Sequence, residues 1–167
     1  IYFNISGHVA FAVENSLYEI ESGDIIITKP NEFHRCMYRS DCRHEHYCFW
    51  INAEENMLPY LKSFYGRKNG EGNHIKLSDA DAEKFRNSLN ILIDNKGYGK
   101  FTDSESLSAL FSILNIVDYS SASFKEASTL PENFAEILKY IDKHFHSFSD
   151  IKEITDKCFI SRSSLNR

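Results

Sequence analysis

The sequence predicts a mainly β domain followed by helices. Its first half is broken into short apolar and β-branched runs, punctuated by Gly, Pro, Asn and Asp, the pattern of a sandwich or barrel. From Ser78 on, the apolar period lengthens to that of one helix face. With 167 residues and ordinary apolar content, the chain can build one domain, or a domain and a fragment, without disulfide or metal staples.

The elements follow in order. Residues 1–7 begin inside a strand and lack a starting Met, so residues are expected upstream. Strands are expected at 8–13, 17–20, 24–28 and 33–39, with 43–52 the longest and 74–77 a short last one. Between them, Met57, Leu58, Leu61 and Phe64 have helical spacing, with Pro59 tolerable only in a first turn. Residues 66–73, GRKNGEGN, read as a mobile polar loop. Ser78 caps a helix carrying Ala82, Phe85, Leu89, Leu92 and Ile93 on one face, stopped at 95–97. Thr102 and Glu105 form a capping box before a second apolar face of Leu107, Leu110, Phe111, Leu114 and Val117. With Ile113 and Ile116 that helix is apolar over much of its surface and should be buried, by its own barrel or by a second chain. A Ser-rich linker follows. Pro131 then suits a first helical turn, ahead of Phe134, Ile137, Leu138 and Ile141.

Net charge is −5, and residues up to Leu130 account for all of it, with 13 basic and 18 acidic side chains. The remainder has 6 of each, without the basic surplus usual in nucleic-acid binders. No window reaches the length of a membrane span and no secretory signal is visible. The four cysteines, Cys36, Cys42, Cys48 and Cys158, read as reduced thiols of a cytoplasmic protein. No nucleophile–base pair, phosphate loop or paired carboxylates suggest catalysis, so an enzyme is not expected.

Two stretches carry chemistry. In 34–48, HRCMYRSDCRHEHYC, the residues His34, Cys36, Cys42, His44, His46 and Cys48 all occupy even positions. Residues two apart share a strand face, so His44, His46, Cys48 and Trp50 should point one way. Imidazoles and thiolates are zinc ligands. Same-face neighbours on one strand lie about 7 Å apart, however, and cannot wrap a tetrahedral ion without help from a second strand. No metal or other cofactor is therefore expected. A pocket needs an aromatic platform and a few polar edges. Trp50 can supply the first, and His34, Cys36, His46 and Cys48 the second; the rival reading makes Trp50 core and His44 a solvent-facing strand residue. At the other end, Ser149 or Asp150 can cap a short helix bearing Ile151, Ile154 and Cys158, and Ser161 can cap another. Helix, tight turn and polar-faced helix form a helix-turn-helix, or equally a plain helical hairpin. In the first case Ser161, Arg162, Ser163, Ser164, Asn166 and Arg167 have the chemistry to meet phosphates and base edges.

The C-terminal stretch resembles the start of the DNA-binding domain of AraC/XylS-family transcription regulators. The matching residues are Ile137, Tyr140, Ile141, Phe145, Ile151, Ile154, Ser161 and Leu165. The front half resembles the same family's cupin-type sensor in "ISG" at 5–7, "YEIESGDIIITKPNEFH" at 18–34 and "FWIN" at 49–52. Departures are Thr155 for the usual Ala and Ala53 for the usual Phe. The resemblance implies a cupin-type β-barrel (jelly roll) at 1–77, two dimerisation-type helices at 78–120, a linker at 121–130 and an incomplete first helix-turn-helix at 131–167. The family carries two such motifs, so a piece of this length is expected not to bind an operator usefully by itself. The implied function is ligand-responsive transcription regulation. Its partners would be a small-molecule effector (a sugar is one candidate), DNA through the full-length parent, and a second copy in a homodimer, with no membrane. Metal-binding cupins use a His-x-His and a Glu in a first motif and a His in a second. Here His34 stands at the second-motif position, Ser16 stands for the Glu, and no His-x-His precedes it. The rival readings are a cupin-fold metalloenzyme, such as an isomerase or dioxygenase, and a stand-alone small-molecule-binding module.

Overall fold

The computed structural model describes residues 1–38, 43–94, 103–121, 127–131 and 133–165. The chain divides into two compact units, Ile1–Thr129 and Leu130–Arg167.

Among its described residues the first unit carries eight strands: β1 Tyr2–Ser6, β2 Val9–Val13, β3 Ser16–Ile20, β4 Ile25–Ile26, β5 His34–Tyr38, β6 Glu45–Cys48, β7 His74–Ile75 and β8 Ser128–Thr129. They form two antiparallel four-stranded sheets, ordered β6-β1-β4-β7 and β5-β2-β3-β8. Among the described residues no ladder joins the sheets. They stack face to face, and no closed barrel is seen.

Side-chain alternation builds two cores on either side of the first sheet. Tyr2 and Ile26 pack with Val9, Phe11, Val13, Tyr18 and Ile20 of the second sheet. Phe3, Ile25, Ile27 and Ile75 turn the other way, onto two helices, α2 (Asp79–Asp94) and α3 (Ser104–Ser120). Phe85 of α2 sits on Phe3 with ring centroids 4.9 Å apart. Leu110, Ile113, Leu114, Ile116 and Val117 of α3 join the same core. The apolar surface of α3 is thus covered largely within its own chain.

A buried polar seam ties the strand ends. Gly23 adopts φ +89°, a conformation open to glycine at little cost, and turns the chain into Asp24. The Asp24 carboxylate accepts from Glu21 N–H at 3.0 Å and from His74 Nε2–H at 2.8 Å. Asn4 Nδ2 donates to the carbonyls of Gly7 and Glu21.

Several boundaries differ from the sequence reading. The strand expected at 43–52 is only β6, because its ladder with β1 ends at the Tyr2–Cys48 pair. Residues 55–60 form a 3₁₀ turn containing Pro59, followed by α1 (Lys62–Tyr65). Pro59 thus lies inside a 3₁₀ segment and not in the first turn of an α-helix. Ser78 does cap α2, its Oγ accepting from Asp81 N–H. The N-cap of α3 is Asp103, whose carboxylate accepts from Ser106 N–H at 2.7 Å. The cap is therefore one residue later than the expected Thr102–Glu105 box; Thr102 itself, like the stop at 95–97, lies outside the described residues. Ser128 and Thr129, expected in a linker, add β8 to the edge of β3.

The second unit holds α4 (Phe134–His144), α5 (Ile151–Cys158) and α6 (Arg162–Leu165). Pro131 precedes α4 without entering it; its carbonyl accepts from Phe134 N–H. Asp150 is the α5 cap, accepting from Lys152 N–H, while Ser149 donates to Glu153. Phe159 closes α5 in the left-handed region at φ 53°.

Two substitutions test this framework. Asp103→Ala should lower stability by about 1 kcal/mol through loss of the α3 cap. Phe85→Ala should cost about 3–5 kcal/mol, because it opens a cavity beneath Phe3. Urea denaturation midpoints measure both, and equal effects would contradict the layering.

Candidate functional site

A cavity of about 310 Å³ opens between the two sheets, at the edge where β5 and β6 lie. Its walls come from both sheets, the loops beside them and α1. β1 and β2 give Tyr2 and Phe11, β4 gives Ile26, and the loop after β4 gives Thr28, Lys29, Pro30, Asn31 and Glu32. β5 gives His34, β6 gives Cys48, and the segment after it gives Trp50 and Ile51. Leu61, Phe64 and Tyr65 close the far side.

Of the residues expected at a pocket, His34, Cys48 and Trp50 line this cavity, and Cys36 and His46 do not. The expected parity is visible: Tyr47, Phe49 and Ile51 pack on the helix-side core, so the even positions of β6 face the opposite way. Trp50 lies past the end of β6, 87% exposed, at the cavity mouth. His34 stacks on Phe11 at 6.1 Å, and its Nδ1–H donates to the Glu32 carbonyl at 3.0 Å. A carbonyl can only accept, so Nδ1 carries a proton.

Cys36 and His46 belong to an aromatic cluster around Tyr2. The Tyr2 hydroxyl is hydrogen-bonded to His44 Nε2 at 2.8 Å and lies 3.9 Å from Cys36 Sγ. His46 stacks on Tyr2 at 4.7 Å and on His44 at 4.9 Å. Burial, and then the Cys36 thiol beside it, pushes the Tyr2 phenol well above its ordinary value. Burial also raises the Cys36 thiol, while Tyr2 and Tyr38 oppose the shift. Burial, then the neighbouring His44, lowers His46. Thiol and phenol are therefore neutral near pH 7, and neither is an activated nucleophile. Among the described residues, no group of three His, Cys, Asp or Glu side chains could hold a metal ion.

The strongest polar feature was not legible as a site. Glu32, in the loop after β4, forms a bidentate pair with Arg67: Nη1 to Oε1 at 2.6 Å and Nη2 to Oε2 at 2.7 Å. Their side chains are 0% and 7% exposed. Gly70 N–H and Lys29 N–H also donate to the carboxylate, at 2.8 and 3.1 Å. Arg67 Nη2 and Asn73 Nδ2 both donate to the Ile27 carbonyl, and the Tyr18 hydroxyl donates to the Gly70 carbonyl at 2.8 Å. The stretch 66–73, expected to be mobile, is thus fastened to the cavity wall. Burial alone would raise the Glu32 carboxyl, but hydrogen bonds from Arg67, Gly70 and Asn73 hold it below its ordinary value. Two oppositely charged residues 35 positions apart carry no local signal of pairing.

In the second unit, Ser161, Arg162 and Ser163 are exposed at the start of α6, with Ser161 and Ser163 hydroxyls 2.9 Å apart. Ser164 lies in α6, while Asn166 and Arg167 fall outside the described residues. Three residues, 159–161, separate α5 from α6. No helix among the described residues is long and apolar enough to cross a membrane. No family model, curated protein or solved structure matches the chain.

Removing one partner of the buried pair leaves the other unmatched. Glu32→Gln should therefore destabilise the protein by about 3–5 kcal/mol at neutral pH. The folded-state value of Glu32 is depressed, so its contribution is present above the ordinary carboxylate range and is lost as pH falls through the folded-state value. Urea titrations from neutral to acid pH should show the gap between wild type and Glu32→Gln closing in acid. A gap constant with pH would remove the ion pair from the account.

Proposed function

We propose that this chain is the sensing portion of a ligand-responsive, DNA-binding transcription regulator of the AraC type. In this reading the two-sheet unit is an open-edged version of the cupin-type jelly roll, and the cavity between its sheets is the effector site. His34, Cys48 and Trp50 contact the effector, while Cys36 and His46 act from the adjoining Tyr2 cluster. The helical unit is the beginning of the DNA-reading domain, with Arg162 and Ser163 presented toward DNA.

One observation carries the reading. A cavity-bearing sandwich and a separately compact helical unit occur in one chain, and the last helices of that unit are joined by a three-residue turn. Such a turn between short helices, with polar side chains opening the second, supports the reading of a major-groove reader. The effector acts by linkage, shifting operator occupancy only as far as its affinity differs between the regulator's arrangements. A homodimer belongs to the same proposal. Since Leu110, Ile113, Leu114 and Val117 are already buried, its surface would have to come from outward residues such as Ile93 and Leu107.

A second reading, a stand-alone binding module, is favoured by the even charge of residues 131–167. Sequencing of genomic fragments retained by the product of the complete open reading frame decides between them. Discrete sites should be enriched, and Arg162→Ala should weaken their binding by about 1–3 kcal/mol. Retention without preferred sequence, lost uniformly as salt is raised, would leave only the binding module.

A further inference from the structure

The chain leading to the helical unit is held on the edge of the second sheet. β8 pairs with β3 at Ser16–Thr129 and Leu17–Ser128, and the Ser128 hydroxyl donates to the Leu17 carbonyl at 3.2 Å. Ala127 packs on the core between the sheets. Without β8 this part of β3 would present unpaired backbone groups, so the pairing is favourable, yet little else holds it. Ser128 and Thr129 are both exposed. Pro131, two residues on, has no N–H with which to lengthen the ladder. A two-residue strand without a buried side chain opens far more readily than β2, which is buried throughout.

The strand that carries β8 is connected to the cavity wall. Tyr18 follows Leu17 in β3, and its hydroxyl donates to the Gly70 carbonyl at 2.8 Å. Gly70 N–H donates to Glu32, also at 2.8 Å, and Glu32 lines the cavity. Packing repeats the link. Gly70 adopts φ +77°, and a Cβ there would lie 3.1 Å from Glu14 Cβ, 3.2 Å from the Val13 carbonyl oxygen and 3.6 Å from Ser16 Oγ. The loop 66–73 therefore rests on the β2–β3 turn, beside the residue that pairs with Thr129. A displacement of Glu32 that carries Gly70 with it must move Tyr18 or break its bond.

What β8 governs is length of chain. Four residues, 130–133, stand between β8 and α4, whereas thirteen, 121–133, stand between α3 and α4. Fully extended, these reach about 14 Å and about 45 Å. Release of β8 thus lengthens the tether of the helical unit about threefold, and tether length sets whether linked modules can engage a target together.

We infer that β8 is a releasable strap: docked on β3 it keeps the tether short, and the cavity wall biases its release through Glu32, Gly70 and Tyr18. Use of the strap in regulation rests on the effector-site reading above; the strap and its coupling do not.

The test is hydrogen–deuterium exchange of the full chain, read by mass spectrometry on peptides covering 66–73, 127–130 and β2, with β2 as the internal reference. In the unaltered protein the slowest amide of 127–130 should exchange at least roughly tenfold faster than β2 and at least roughly tenfold slower than an unstructured peptide. Tyr18→Phe keeps the ring and removes one hydrogen bond. Relative to β2, it should speed exchange about fivefold in both 66–73 and 127–130. Ser128→Pro combined with Thr129→Pro removes whichever N–H faces β3, because alternate residues of a strand direct their N–H groups to the same side. By reciprocity of coupling it should speed 66–73 as well. If 127–130 exchanges as slowly as β2, or as fast as an unstructured peptide, there is no releasable strap. If either variant loosens only its own end, the coupling falls. Neither failure touches the effector-site reading, which the selection of genomic fragments tests separately.

Discussion

The Glu32–Arg67 pair is the constraint on which the candidate site depends. It joins the loop after β4 to the loop before β7, and each loop is shaped by the bond to the other. Glu32 fixes the carbonyl that orients His34, and the Arg67 carbonyl holds the Lys29 ammonium. The pair is costly to bury, since both charges leave water. Here it is offset by the bidentate geometry and by further donors to the carboxylate, so few lone pairs remain unmatched. The same satisfaction that makes the pair tolerable also withdraws Glu32 from ligand chemistry.

A second constraint is the double duty of the first sheet. Both of its faces are covered, one by the second sheet and one by α2 and α3. Tyr2 and Phe3 are adjacent in sequence yet anchor separate cores, and a one-residue slip of β1 would exchange them. Its register is therefore fixed from both sides. At the open edge only the helix-facing side of β6 is covered. Tyr47, Phe49 and Ile51 are drawn toward the core, leaving His46, Cys48 and Trp50 exposed on the other side.

How much of this was legible follows from the range of each interaction. Strand alternation, a cap of α5 at Ser149 or Asp150 and the face shared by His46 and Cys48 are set by neighbours a few residues apart, and the sequence reading finds them. The fastening of 66–73 is not local. A Gly-rich polar run reads as mobile because nothing nearby explains it, and its partners, Glu32, Ile27 and Tyr18, come from far upstream. Sheet closure is also a long-range property. Period-two patterning is the same for a barrel and for two stacked sheets, so the expected barrel and the observed open-edged sandwich share one sequence signature. The position of Trp50 was missed for a related reason: strand length depends on where the partner β1 stops pairing.

The two units differ in how they are held. In the first, many apolar side chains are fully buried, Phe3, Ile25, Ile27, Ile75 and Phe85 among them. In the second, Ala135 is the one buried apolar residue among those described; Ile137, Ile141, Ile151 and Ile154 are only partly covered. Few residues enclose little volume, and apolar burial per residue falls with size. Local terms must then contribute more there: the Asp150 cap, the Ser149–Glu153 bond and the left-handed closure at Phe159. That closure is unusual, because a bulky side chain in the left-handed region is strained, and Phe159 recovers little of the cost by packing at 95% exposure. The turn that aims α6 is therefore set by backbone geometry, with two Thr155-directed bonds from Phe159 and Ile160 N–H closing it.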